Sequence, residues 1–230
     1  MARLPADPEA FIRANTALEA PAMVPEFKLW LASEYVPIWQ ATEAWMEAQN
    51  IDPPYWAFCW PGGQAIARYL LDHPEEVRGK RVIDFAAGSG VSSMAAARAG
   101  AASVLANDID RLSLVAARLN AVANGLAFDV SHEDWLAGPE ASPETDVVIA
   151  GDVCYERDMS ARALDWLRGH ARADRLVLLG DPGRNYFSAL GLEERARYEI
   201  PTSLQLENRG MRETVVWRVL PHPHAAVRIP

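Results

Sequence analysis

Four aspartates, each at the end of a short apolar run, are the residues of this chain best suited to chemistry. Asp84 follows Val82-Ile83, Asp108 follows Val104-Leu105-Ala106-Asn107, Asp134 follows the run at 128–132, and Asp152 follows Val147-Val148-Ile149-Ala150-Gly151. A carboxylate at the carboxyl end of a strand faces the crevice in which α/β sheets bind ligands. There it accepts hydrogen bonds from hydroxyls and attracts amines. Between the first two acids lies a loop of small residues, Ala86-Ala87-Gly88-Ser89-Gly90, leading into a helix-forming run at 91–99. Small residues let the backbone approach a ligand closely, and a helix N-terminus offers free N–H groups. Asp108 comes about 20 residues beyond that loop, where a nucleotide-binding unit of this kind meets a ribose. The spacing points to an adenosine-type ligand.

Two cofactors fit this fingerprint. Gly88-x-Gly90-x-x-Ser93 reads as a degraded dinucleotide loop, whose last position is normally Gly or Ala. Asp84, directly before the loop, is less usual for NAD and common for S-adenosylmethionine (SAM), where it can take the amino end of the methionine. SAM carries no pyrophosphate, so the loop need only pack under its amino acid and ribose. A tight strand-to-helix turn with no ligand is the bland alternative, and the pairing of Asp84 with Asp108 weighs against it.

The elements that would hold these residues alternate. Residues 8–50 read as helices: one opened by Pro8, one running from Pro25-Glu26 toward Tyr35, and one at 38–49 after Pro37. An aromatic, proline-bound segment follows at 53–63, then a short helix at 64–71. Beyond Asp108 come a helix at 111–124, strands at 128–132 and 146–151, a helix at 158–173 and a strand at 176–180. Late strands are expected near 198–200 and 214–220, where Val215, Val216, Trp217 and Val219 favour extended structure. Such alternation with a closing strand pair predicts an α/β, doubly wound, mostly parallel sheet. We divide the chain into an N-terminal helical and aromatic extension, 1–63, and a catalytic domain, 64–230.

The two later acids have readings of their own. Asp134 can accept the adenine amino group, with Trp135 or the backbone holding the ring, unless Trp135 is a core tryptophan beside a solvated turn. Asp152 and Tyr155, three residues apart, can grip an amine opposite a methyl sulfonium, unless they are a strand-end acid and a packed tyrosine. Asp52-Pro53-Pro54-Tyr55 spells the signature of enzymes that methylate exocyclic amines of DNA bases, which works at the end of the fourth strand. Here the residues before it read as helix, and Val147–Ala150 already fill the fourth-strand slot. The signature is read as coincidence.

Composition narrows the class. With 230 residues, half of them hydrophobic, the chain can bury one full core. Its formal net charge of −9 disfavours a nucleic acid partner. Cys59 and Cys154 supply neither metal spacing nor a disulfide framework, which suggests a reducing compartment and no metal. No apolar run reaches the ~18 residues of a membrane span, and the N-terminus lacks a secretory core. Of the 22 basic residues only Lys28 and Lys80 are lysine, a bias that resembles GC-rich bacterial coding. The expectation is a bacterial, cytoplasmic protein.

Longer blocks carry a resemblance to a family. Phe11-Ile12-Arg13-Ala14-Asn15-Thr16, Tyr55-Trp56-Ala57-Phe58-Cys59-Trp60-Pro61-Gly62-Gly63-Gln64-Ala65, Arg68-Tyr69-Leu70-Leu71-Asp72, Leu105-Ala106-Asn107-Asp108-Ile109-Asp110 and Gly180-Asp181-Pro182-Gly183-Arg184 run nearly end to end. Together they resemble the seven-β-strand lysine methyltransferases, most closely those acting on the electron transfer flavoprotein β subunit. The resemblance implies a Rossmann-like, class I SAM-dependent methyltransferase fold with seven strands. It also implies a cofactor site drawn from Trp60, Asp84, Ala86, Gly88, Gly90, Asn107, Asp108, Asp134 and Trp135, with the Trp60 ring over the pocket. Asp152 and Tyr155 would be the catalytic pair facing the substrate lysine. Another amine, on a ribosomal or other protein or on a small molecule, is the alternative acceptor. Two departures stand out. Ala86 replaces the first loop glycine and fits if its φ is negative. Cys154 replaces an aromatic, which would widen one wall of the lysine channel.

In-line methyl transfer from a sulfonium needs no metal and no covalent enzyme intermediate, and depends on alignment and a neutral amine. A free lysine, with pKa ~10.4, is mostly protonated at neutral pH. Asp152 would orient the ammonium, while the nearby sulfonium would disfavour its proton.

Overall fold

The computed structural model describes residues 4–32, 54–137, 143–202 and 210–222. Seven strands form one sheet: β3 (Arg81–Phe85), β4 (Ser103–Asn107), β5 (Asp129–Ser131), β6 (Val147–Gly151), β7 (Leu176–Asp181), β8 (Leu192–Pro201) and β9 (Met211–Val219). Their order is β5-β4-β3-β6-β7-β9-β8, parallel throughout except that β9 runs antiparallel to both neighbours. The expected doubly wound α/β sheet is therefore present. The chain winds outward from β3 through β4 to β5, then returns to start the other half at β6. That reversal opens a crevice between the carboxyl ends of β3 and β6, the place where such sheets take ligands.

Alternation along the central strands builds two cores. Val82, Val147, Ile149 and Leu178 face one side, under the helices α2 (Pro61–Asp72) and α3 (Val91–Arg98). Ile83, Phe85, Val148, Ala150, Val177 and Leu179 face the other, under α5 (Arg157–Arg172). Period-two alternation of apolar residues on both faces is what a sheet covered by helices requires. A third cluster joins α4 (Arg111–Ala123) to Ile12 of α1 (Pro8–Ala14) and to Trp56, Ala57 and Phe58 around a 3-10 turn at Tyr55–Ala57. α1 starts where Pro8 and the Asp7 cap predict it: Asp7 Oδ1 accepts from the Ala10 amide at 3.0 Å.

Three expectations change here. Residues 25–32 are not helical: β1 (Ala17–Glu19) and β2 (Leu29–Leu31) form an antiparallel pair, and the rest of the expected helix lies outside the described residues. The backbone at the start of β2 is claimed by Asn120 of α4 and by Asn124, which caps that helix. Asn124 both accepts from the Lys28 amide and donates to the Lys28 carbonyl, at 2.9 and 2.7 Å, and Asn120 Oδ1 accepts from the Trp30 amide at 2.7 Å. Phe27 and Leu29, both fully buried, are fixed by that extended course. The late strands are longer than expected because β8 and β9 pair along their whole length. α2 begins at Pro61, so the division drawn at residue 63 falls inside a helix. The helix expected at 38–49 lies outside the described residues.

Candidate active site

The small-residue loop joins β3 to α3 through three left-handed residues. Ala86, Gly88 and Gly90 have φ of 55°, 51° and 77°. The condition that Ala86 keeps a negative φ is not met; the backbone needs the glycine conformation there and Ala86 carries the strain. Gly90 is demanded by packing as well, since a Cβ would come within 2.7 Å of the Ala117 Cβ. Gly88 differs: a Cβ there would meet nothing within 4 Å, so open space lies against this part of the loop. Asn120 Nδ2 braces the loop from below by donating to the Ser89 carbonyl at 2.9 Å.

Asp108 stands beside that space. Its Oδ2 accepts from the Gly88 amide at 2.9 Å and its Oδ1 from the Asp110 amide at 2.9 Å. Burial pushes its carboxyl up to about 6, with the two amides pulling the other way. A carboxyl so placed has lone pairs left for the hydroxyls of a ribose. Asp84 is more enclosed. It takes the Ser93 hydroxyl at 2.6 Å, and burial pushes it up to about 7. The open face at Gly88, flanked by two acceptor carboxyls and opening α3, suits a ligand with ribose hydroxyls and an amino group. On this chemistry the residues fit SAM.

Other expected cofactor residues divide by location. Asn107 is buried, and its Nδ2 donates to the Ser131 and Glu133 carbonyls at 3.2 and 3.0 Å, tying the end of β4 to the turn after β5. Trp135 belongs to the core: its ring stacks on Trp166, with centroids 5.9 Å apart, and its Nε1 donates to Glu133. Asp134 is exposed in the same turn and accepts from the Leu136 amide at 3.0 Å. Asp134 alone of the pair is thus free of the core.

The far side of the crevice is built around Asp152, itself left-handed with φ 57°. Its Oδ2 accepts from the Gly62 and Gly63 amides at 2.6 and 3.2 Å, capping α2, whose own N-cap Trp60 offers no side-chain bond. Its Oδ1 accepts from Nε and Nη2 of Arg184 at 3.1 and 2.7 Å. The glycines around it interlock. A Cβ on Gly62 would lie 2.3 Å from the Gly180 carbonyl, one on Gly180 2.3 Å from the Gly62 carbonyl, and one on Gly151 2.7 Å from the Gly63 amide. Sequence reasoning noticed these glycines only inside longer blocks; their signal was the pairing of Gly-Gly with strand-end glycines elsewhere in the chain.

The rim is aromatic. Tyr155 packs against Tyr55 with centroids 5.7 Å apart, and Tyr55 against Trp60 at 6.1 Å. Both tyrosines keep close to half their surface exposed, 46% for Tyr155 and 48% for Tyr55, so their rings are presented at the surface, Tyr155 three residues beyond Asp152. Trp60 is held by its Nε1, which donates to the Tyr55 carbonyl at 2.8 Å. Its face carries the Arg184 guanidinium, 5.5 Å from the ring centroid. Cys154 is fully buried and lines no channel, so the expected widening does not follow from it. Tyr55 brings a second ring instead, reaching the end of β6 from a segment a hundred residues earlier. Among the described residues no group of His, Cys, Asp and Glu could hold a metal ion.

Comparison with known proteins matches this layout. A sequence profile of the family described as Ribosomal protein L11 methyltransferase (PrmA) covers residues 67–152. A solved magnesium protoporphyrin IX methyltransferase of Synechocystis PCC 6803, with bound SAM, superposes at a TM-score of 0.50 and 18% identity, covering 68% of this chain and 77% of that one. That likeness establishes the class I methyltransferase fold. The electron transfer flavoprotein beta subunit lysine methyltransferase of Xenopus laevis is 38% identical over 93% of this chain and 87% of its own length. The Homo sapiens protein of the same name is 36% identical over 94% and 84%. Identity at this level spans both the loop side and the aromatic side of the crevice, and the chain belongs to the family of electron transfer flavoprotein beta subunit lysine methyltransferases.

Proposed function

We propose that this protein transfers methyl groups from SAM to lysine side chains of the β subunit of electron transfer flavoprotein. The observation that carries the reading is the near full-length identity to relatives of that name, joined to a crevice with a cofactor side and an acceptor side. Gly88, Asp84 and Asp108 would hold the cofactor by its amino acid and ribose, with Gly90 allowing α3 and α4 to close beneath it. The cofactor supplies an electrophilic methyl group on a positively charged sulfur.

The chain's own part is alignment. Tyr55 and Tyr155 give a lysine stem apolar walls and offer ring faces to its cationic head, beside Trp60, the ring expected over the cofactor pocket. Asp152 sits behind them as the acid of the acceptor side. The lysine nitrogen must first lose a proton to solvent. It then forms the N–C bond as the C–S bond breaks, and the electron pair of that bond remains on sulfur. Positioning of this kind supplies most of the rate in a displacement with no covalent enzyme intermediate. Tyr155, whose phenol burial pushes up to about 12, stays neutral throughout and acts as a wall and hydrogen-bonding group.

A different protein acceptor is the second reading. The ribosomal protein L11 methyltransferase of Deinococcus radiodurans is 41% identical over only 37% of this chain, and the matching profile covers 67–152. The profile span does not include Tyr55 and Trp60, and the flavoprotein methyltransferase of Xenopus laevis matches over 93% of the chain, so the acceptor side favours the flavoprotein. No described helix is long and apolar enough to cross a membrane. With both cysteines unpaired, we assign the reaction to a reducing bacterial cytoplasm. The test is methylation of purified β subunit followed by mapping of the modified lysines.

A further inference from the structure

We propose that Arg184 is a positioning residue for methyl transfer, fixing Asp152 and offsetting its charge so that the acceptor amine can become neutral beside it. The inference rests on the proposed acceptor side and adds a residue to it.

The geometry begins with the lone pairs of Asp152. An ionised carboxylate offers about four acceptor sites. The Gly62 and Gly63 amides take two on Oδ2, and Nε and Nη2 of Arg184 take two on Oδ1. Both partners of the ion pair are largely enclosed, with side chains 17% and 10% exposed for Arg184 and Asp152. Charges so shielded from water interact strongly, and a guanidinium at 2.7 Å offsets most of the field of its carboxylate.

The turn that delivers Arg184 is built for this purpose. Asp181 Oδ1 accepts from the Gly183 and Arg184 amides, both at 2.7 Å, and Gly183 adopts φ 78°. The Trp60 ring then supports the guanidinium on its other side. Four residues of the block Gly180-Asp181-Pro182-Gly183-Arg184 thus have a structural account: Gly180 the close approach to Gly62, Asp181 the turn cap, Gly183 the left-handed step and Arg184 the charge itself.

The consequence for the reaction is electrostatic. An uncompensated Asp152 would stabilise the lysine as ammonium, the form that cannot attack. With Arg184 in place the pair is close to neutral, and the proton leaves more readily. The groups facing Asp152 do not take over this role. Cys59, beside α2, and Cys154, after β6, are thiols that burial keeps protonated. Tyr155, farther out at the rim with Tyr55, is a neutral phenol. Asp181, at the end of β7, is another acid, and burial pushes it up to about 6. Among these described groups, Arg184 is the one that carries a positive charge.

The experiment compares wild type, Arg184→Gln, Arg184→Lys, Asp152→Asn and the Arg184→Gln/Asp152→Asn double variant. Initial rates are read across pH 6–10 at saturating SAM on the flavoprotein β subunit, with SAM affinity measured on the same preparations. Arg184→Gln should bind SAM within about threefold of wild type and lose at least tenfold in kcat near neutral pH. Its kcat should rise at higher pH than wild type, because the exposed carboxylate holds the ammonium. Arg184→Lys should recover part of the rate. The double variant should lose no more than Asp152→Asn alone, since a neutral amide needs no offsetting charge. An unshifted pH profile in Arg184→Gln, or multiplicative losses in the double variant, would overturn the inference. Wild-type labelling of some other lysate protein, with the β subunit untouched, would overturn the acceptor assignment alone, and the same variant ratios would then be read on that protein. Absence of any wild-type methyl transfer would overturn both.

Discussion

The Gly62 amide donates to Asp152 Oδ2 at 2.6 Å across 90 residues of sequence, so one contact joins the start of α2 to the acid proposed for the acceptor side. The same glycine has no room for a side chain, its Cβ position lying 2.5 Å from that oxygen and 2.3 Å from the Gly180 carbonyl. Gly62→Ala should therefore destabilise the protein by about 3 kcal/mol or more, because rigid backbone must move. Thermal melts would register it as a fall in Tm, and Gly169→Ala, where only the flexible Arg172 side chain lies within 4 Å, serves as the mild comparison.

Ala86 predicts a gain. A non-glycine residue in left-handed geometry costs about 1–2 kcal/mol, part of which glycine returns by being more disordered when unfolded. Ala86→Gly, at φ 55°, should raise stability by about 0.5–1 kcal/mol and Tm by roughly 1–4 °C. SAM affinity should stay within about threefold. A lower Tm would show that the Ala86 methyl group contributes packing that outweighs its backbone strain.

Asp108 predicts a cofactor effect. Removing a carboxylate that bonds a ribose should cost roughly 1.5–3 kcal/mol, so Asp108→Ala should weaken SAM binding about tenfold to a hundredfold. Calorimetric titration reads this directly, and NAD should give no heat with either protein.

Asp84 predicts a pH dependence. Its folded value is pushed from 3.8 up to about 7 by burial, so the folded protein holds this proton more tightly than the unfolded chain. The stability it contributes is full below about pH 4 and is lost as pH rises through about 7. Asp84→Asn cannot ionise. Its Tm relative to wild type should climb between about pH 4 and 7 and level off above that in the absence of cofactor, and a flat difference across pH 4–7 would contradict the assignment.

The candidate site was legible in sequence where the signal was local. Asp84, Gly88 and Asp108 stand out as candidates because strand, loop and helix are consecutive and a second strand-end acid follows at a fixed distance. Ala86 could not be read this way, since the sheet-to-helix turn imposes its φ whatever the side chain. β2 read as helix because propensity weighs neighbours, whereas Asn120 and Asn124 claim that backbone from some 90 residues away. Trp135 fitted both a ring-binding and a core role, and only its stacking on Trp166 decides. The DNA-type reading of the Pro54-Tyr55 signature falls with the family assignment. Even so, Tyr55 does come to rest beside the fourth strand's end, against Tyr155.

Tyr55 in turn predicts an acceptor effect. A cation–ring contact at a partly exposed site is worth about 0.5–2 kcal/mol. Tyr55→Ala should raise KM for the protein substrate about two- to thirtyfold with SAM affinity little changed, and Tyr55→Phe should restore it. Equal rates for all three proteins would remove Tyr55 from the acceptor wall.

The most direct test of the whole account incubates the purified protein with SAM and its cognate electron transfer flavoprotein, then maps the β subunit by peptide mass spectrometry. The account predicts methyl increments on one or a few exposed lysines, absent when those lysines are changed to arginine. An unmodified β subunit, with other lysate proteins labelled by the same preparation, would contradict it.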